Sequence, residues 1–152
     1  MIKQYKKEGS YITFLPTGKE YPLVGFSEGY GIVENDSKYL DYGFVLRKNL
    51  RNQEYYQLLI NNSDNLKVVI NAYDLYYEAV YKGERFRADI STYPQVTLFA
   101  GTNDYGAAAK TNIEGFELEV GCWVKDVDIS KLEIIPVKEP IDLTRFLPSS
   151  NN

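Results

Sequence analysis

The chain has 152 residues, 44% hydrophobic and 25% charged, so it has the composition of a single globular domain with enough apolar surface for a core. It has no histidine and one cysteine, Cys122, which removes Ser-His-Asp and Cys-His nucleophilic chemistry, histidine zinc sites and internal disulfides. Its net charge of −4 is uneven: residues 1–51 carry +2, residues 52–100 carry −2 and residues 101–152 carry −4.

In chain order, Ser10–Leu15, Gly29–Glu34 and Tyr39–Leu46 are short β-like runs. They are punctuated by Pro16-Thr17-Gly18, the glycine-rich Gly25–Gly31 and Asn35-Asp36-Ser37, which predicts an antiparallel meander. The glycines of Gly25–Gly31 lack the Lys-Ser/Thr of a phosphate loop and open no helix, so they predict a turn or bulge. Residues 47–60 admit two readings. Leu46, Leu50, Tyr55, Leu58 and Leu59 fit a helical stripe; equally, Glu54–Ile60 fits a strand paired through Asn61–Asn65 to Leu66–Ile70.

Asp74–Tyr81 and Arg85–Ile90 flank Lys82-Gly83-Glu84 and predict a hairpin centred on Gly83. In its second arm Phe86, Ala88 and Ile90 alternate with Arg85, Arg87 and Asp89. Asn103–Lys110, with Asp104 as cap, predicts a short helix. Gly115–Lys125 alternates strictly. As one strand it turns Phe116, Leu118, Val120, Cys122 and Val124 to a core and Glu117, Glu119, Trp123 and Lys125 outward. Pro136, Pro140 and Pro148 allow one edge strand at most before the end.

The predicted architecture is therefore β-rich α+β: a mainly antiparallel, curved or sandwiched sheet with one or two short helices. A single domain is expected over residues 1–147, with a frayed tail at 148–152. No apolar stretch approaches the roughly 18 residues of a membrane helix, and the N-terminus lacks a signal-like run. The expectation is a cytoplasmic protein that engages neither membrane nor nucleic acid.

The candidate partner surface is acidic and aromatic. Glu114, Glu117, Glu119, Asp126 and Asp128 form its carboxylate patch. Trp123 is the only tryptophan, either an outward anchor or a ring covered by Leu143, Phe146 and Leu147. Tyr39 and Tyr76 fall beside Asp41 and Glu78 on polar faces. No loop clusters oxygen ligands as a calcium site does, so no metal and no cofactor are expected. These features predict a small inhibitor of the immunity-protein, antitoxin or phage-encoded kind. It would occlude another protein that has a basic surface, and a homo-oligomer is compatible with this. The alternative is a small-molecule or nucleotide-binding module with stacking tyrosines.

A third reading is enzymatic. Arg85/Arg87, then Ser91-Thr92-Tyr93, then Glu117-Leu118-Glu119 follow the order of the Arg, Ser-Thr-Ser and Glu-x-Glu elements of mono-ADP-ribosyltransferases, and the stretch resembles that family. The resemblance implies nicotinamide-nucleotide contacts at the arginines and serine, and a catalytic carboxylate at Glu119. Tyr93 stands where that family has its last serine, and the first two elements lie unusually close together.

Overall fold

The computed structural model describes residues 5–100, 113–119 and 122–148, with the side chains of Glu119 and Cys122 outside that description. The helix predicted at Asn103–Lys110 and the tail from residue 149 on also lie outside it. The fold is β-rich α+β, built of antiparallel sheets. Among the described residues, helix is confined to α1 (Ser63–Leu66) and three short 3-10 turns, Ser37–Tyr42, Ile129–Lys131 and Leu143–Phe146. The chain packs into two compact units: Gly9–Asp74 with Glu139–Asn152, and Met1–Glu8 with Leu75–Lys138.

The Gly9–Asp74 unit begins with a hairpin of β1 (Gly9–Phe14) and β2 (Lys19–Pro22), in register Ile12↔Tyr21 and Phe14↔Lys19. A second sheet has the order β3-β4-β6-β5, made of β3 (Val24–Phe26), β4 (Gly29–Glu34), β5 (Val45–Lys48) and β6 (Glu54–Leu59). The glycine-rich segment is thus the β3–β4 hairpin, as predicted. A Cβ at Gly31 would stand 2.5 Å from the Leu58 carbonyl oxygen, so β4 closes on β6 only over glycine. Ile12, Phe14, Tyr21, Ile32, Leu58, Ile60 and Val69 form the core, and Ile141 and Phe146 from the C-terminal segment pack into it. Rings dominate one side: Phe14 meets Phe44 edge-on at 5.4 Å, and Tyr39 meets Phe44 at 5.3 Å.

The two readings of residues 47–60 are resolved here. Glu54–Leu59 is strand, but it pairs with β4 and β5 rather than through the asparagines to the next run. Those asparagines instead start α1: the Asn62 side chain accepts the Asn65 N–H at 2.8 Å, a capping bond that commits the backbone to a helical turn. The run Tyr39–Leu46 is also only partly strand. Asp36 caps the 3-10 turn Ser37–Tyr42, and Gly43, in the left-handed region at φ 95°, ends it.

β7 (Val69–Tyr81) contributes its first half to that unit and Leu75–Tyr81 to the Leu75–Lys138 unit. The latter adds β8 (Glu84–Asp89), β9 (Gln95–Phe99), β10 (Glu117–Glu119) and β11 (Cys122–Asp128), in the order β10-β11-β9-β8-β7. β12 (Glu133–Pro140) also pairs with β7. The predicted hairpin is present with Tyr81↔Glu84 as its last pair. Lys82 and Gly83 both have positive φ, 51° and 81°, the two-residue turn whose twist matches that of the strands. One face of this sheet is apolar: Tyr77, Ala79, Tyr81, Phe86, Ala88, Val96, Leu98 and Val127 are buried. Phe116 packs on Phe86 at 5.2 Å, and Tyr5 meets Tyr77 edge-on at 5.7 Å.

The single strand predicted from Phe116 to Val124 is two strands. β10 and β11 are antiparallel neighbours with Glu117↔Val124, Leu118↔Trp123 and Glu119↔Cys122 in register. Such a register pairs even positions with odd ones, so the face assignment reverses across the connection. Leu118, expected in the core, is 58% exposed.

Candidate functional site

The second face of the Leu75–Lys138 sheet is polar, and its register assembles a continuous surface. Glu78 pairs with Arg87, Arg87 with Phe99, Phe99 with Val124, and Val124 with Glu117. These five residues form one row across five strands. At about 4.8 Å between strands, the row is roughly 19 Å long. A second row runs Asp89, Thr97, Asp126. Tyr76 and Asp128 lie on the same face by alternation from Glu78 and Asp126.

The face is graded in charge. At the β7–β8 end, cations are neutralised: Arg85 pairs with Glu78, and Arg87 lies 3.9 Å from the Glu8 carboxylate and 4.2 Å from the Tyr76 ring centroid. In the middle, Phe99 and Val124 are half-buried. At the β10–β11 end, the Thr97 hydroxyl donates to Asp126 Oδ1 at 2.7 Å, which fixes that carboxylate. Among the described residues no cation pairs with Glu114, Glu117 or Asp126. Asp128 caps the turn that follows, and the hydroxyl and N–H of Ser130 hold its carboxyl below the usual range.

Four of the predicted surface residues, Tyr76, Glu117, Asp126 and Asp128, therefore share one face, and Glu114 is exposed in the turn before β10. Trp123 does not join them. Two-residue alternation from buried Val127 places it on the apolar side, half-buried beside Leu118. Leu143 and Phe146, considered as its cover, pack with the core of the Gly9–Asp74 unit. Tyr39 is likewise not at the surface: it is 7% exposed in the 3-10 turn, packed on Phe44 and Tyr42. Its predicted place beside Asp41 assumed a strand where the chain forms a turn. The Glu119 side chain lies outside the described residues.

Arg87, Thr97, Phe99 and Val124 were missed as a group, because only the pairing of distant strands brings them together. The three elements resembling ADP-ribosyltransferases fall on β8, on the Ser91–Pro94 turn and on β10, with both arginines engaged as above. Among the described residues, no three His, Cys, Asp or Glu side chains converge to hold a metal ion.

The Gly9–Asp74 unit carries two further features. An open groove of about 620 Å³ is lined by Phe26, Val33, Asn35, Asn49, Gln53, Glu54 and Tyr55. The Phe26 and Tyr55 rings are nearly parallel there, with centroids 6.4 Å apart. Elsewhere, Lys19 Nζ and the Tyr21 hydroxyl both donate to Glu34 Oε2, at 2.5 and 2.6 Å. No family model, no curated protein and no solved structure matches this chain.

Proposed function

We propose that this protein acts by binding another protein and covering a basic cleft on it, in the manner of an immunity protein, antitoxin or phage-encoded inhibitor. The observation that carries this reading is the row Glu78–Arg87–Phe99–Val124–Glu117. It offers an apolar centre and an acidic end where, among the described residues, Glu117 and Asp126 have no ion pair, the anatomy of an interface in which charge governs encounter and a desolvated middle supplies affinity. Its test is affinity capture from extracts of the source cell, comparing the natural chain with Phe99→Ala and with Glu117→Lys/Asp126→Lys. The expected result is one partner, held by the natural chain and lost or reduced more than about ten-fold with both variants. A partner retained equally by all three would move the function off this face.

The groove at Phe26 and Tyr55 favours a second reading, a module for a small molecule or nucleotide. Two parallel rings fringed by side-chain amides suit a flat polar ligand. A thermal shift with nucleotides, lost in Tyr55→Ala, would favour this reading over the first.

A further inference from the structure

β5 closes one end of the order β3-β4-β6-β5, so among the described residues only one of its edges is hydrogen-bonded to a strand. The Asn49 N–H donates to the Gln53 carbonyl at 3.0 Å, and the register continues as Arg47↔Tyr55 and Val45↔Gln57. Antiparallel alternation therefore turns the N–H and C=O groups of Leu46 and Lys48 away from β6. All four β5 residues are exposed. Large exposed apolar side chains lie on this strand and just beyond it: Val45, Leu46 and Leu50, with Leu50 fully in solvent. An open edge with apolar side chains on both faces is a template for a further strand.

Charge decides which strand. From Val45 to Glu54 the arm carries Arg47, Lys48 and Arg51 against the single carboxylate of Glu54, although the whole chain has net charge −4. Among the described residues none of these three cations has an ion pair. Pairing β5 with a second copy would bring two such sets together, which disfavours self-association. The same cations favour an acidic strand.

We infer that the open edge of β5 receives an extended acidic, aliphatic segment of another protein, which adds to the sheet beside β5. In antiparallel addition the residues opposite Lys48 and Arg47 are acidic and those opposite Leu46 and Val45 are aliphatic. The recognised segment then reads acid, acid, aliphatic, aliphatic; parallel addition reverses the order. This site is independent of the acidic face of the other unit and prefers the opposite charge, so the two can fail separately.

The test is selection of random phage-displayed peptides on the purified full-length chain, on Leu46→Pro and on Arg47→Glu/Lys48→Glu. Proline at position 46 removes an outward N–H and no bond to β6, a place where edge strands tolerate it. The expected result is enrichment of peptides with adjacent acidic and aliphatic pairs. These should bind Leu46→Pro at least about ten-fold more weakly, and the charge-reversed variant should prefer basic peptides. Should Leu46→Pro not fold, the charge-reversed variant carries the test alone. No enrichment, enrichment indifferent to acidic residues, or enriched peptides whose binding the variants leave intact would overturn the proposal. So would sedimentation of the natural chain as a dimer that the variants dissociate, which would make a second copy the occupant.

Discussion

The Tyr21 hydroxyl donates to Glu34 Oε2 at 2.6 Å across the Gly9–Asp74 unit, tying the β1–β2 hairpin to β4. Lys19 Nζ reaches the same oxygen, and the Asn35 N–H reaches the other. Burial alone would raise the carboxyl, but these donors outweigh it and hold Glu34 down to about 2. Burial, then the bond to Glu34, push the Tyr21 hydroxyl well above its ordinary value.

A folded-state value below the unfolded one gives stability that is complete above the unfolded pKa and lost as pH falls toward the folded one. Denaturation at pH 7, 4 and 2.5 should therefore show the natural chain losing stability from about pH 4.5 downward, by up to about 3 kcal/mol from this group. Glu34→Gln should be less stable at pH 7 by an amount of that order and should lose this part of the slope. Equal acid slopes in the two proteins would show that the cluster is not formed in solution.

At Gly83, in the β7–β8 turn, the cost of substitution should be conformational only. Nothing lies within 4 Å of a Cβ built on Gly83, yet its φ is 81°. Gly83→Ala should cost about 1 kcal/mol, and Lys82→Asn should be neutral or stabilising, because asparagine accepts the left-handed region more readily than lysine. Urea unfolding of both variants checks the pair; a neutral Gly83→Ala would mean that the turn relaxes to another type.

Strand content, the Gly83 hairpin and the β3–β4 turn were legible because alternation and turn residues are local signals. What failed was local evidence that needed a distant partner to interpret. The segment Gly115–Lys125 alternates whether it is one strand or two, and only the pairing Leu118↔Trp123 separates the cases. A second kind of failure was local competition: Asp36 and Asn62 act as caps by bonding backbone N–H groups two and three residues ahead, overriding the strand-like hydrophobicity around Tyr39 and the expected turn at the asparagines. Of the candidate face, the acidic residues were visible as composition, whereas Arg87, Phe99 and Val124 became neighbours only through register.

Tyr77 anchors the N-terminal segment. It is 2% exposed, its hydroxyl donates to the Lys6 carbonyl at 2.5 Å, and its N–H donates to Glu8 Oε1 at 3.3 Å. Tyr77→Phe keeps the ring in the core but strips the Lys6 carbonyl of that donor, so it should cost about 1–2 kcal/mol. Limited proteolysis should then cut near Lys6 and Lys7 sooner than in the natural chain. Unchanged cleavage would show that other contacts hold the segment.

Trp123 separates the fold from the proposed docking face. It shares the apolar side of the sheet with Val127, across from the row that ends at Glu117. A half-buried ring forfeits less than a fully buried one on truncation, so Trp123→Ala should cost about 1–3 kcal/mol of stability, below the 3–5 kcal/mol of a core aromatic. Binding to a captured partner should stay within about two-fold, because the indole projects from the other side. Glu117→Lys should do the reverse: stability within about 0.5 kcal/mol, slower association and a flatter salt dependence. Chemical denaturation and stopped-flow association measured on the same two variants give four numbers that must fall in this crossed pattern. A Trp123→Ala protein of natural stability that no longer binds would place the interface on the tryptophan side of the sheet.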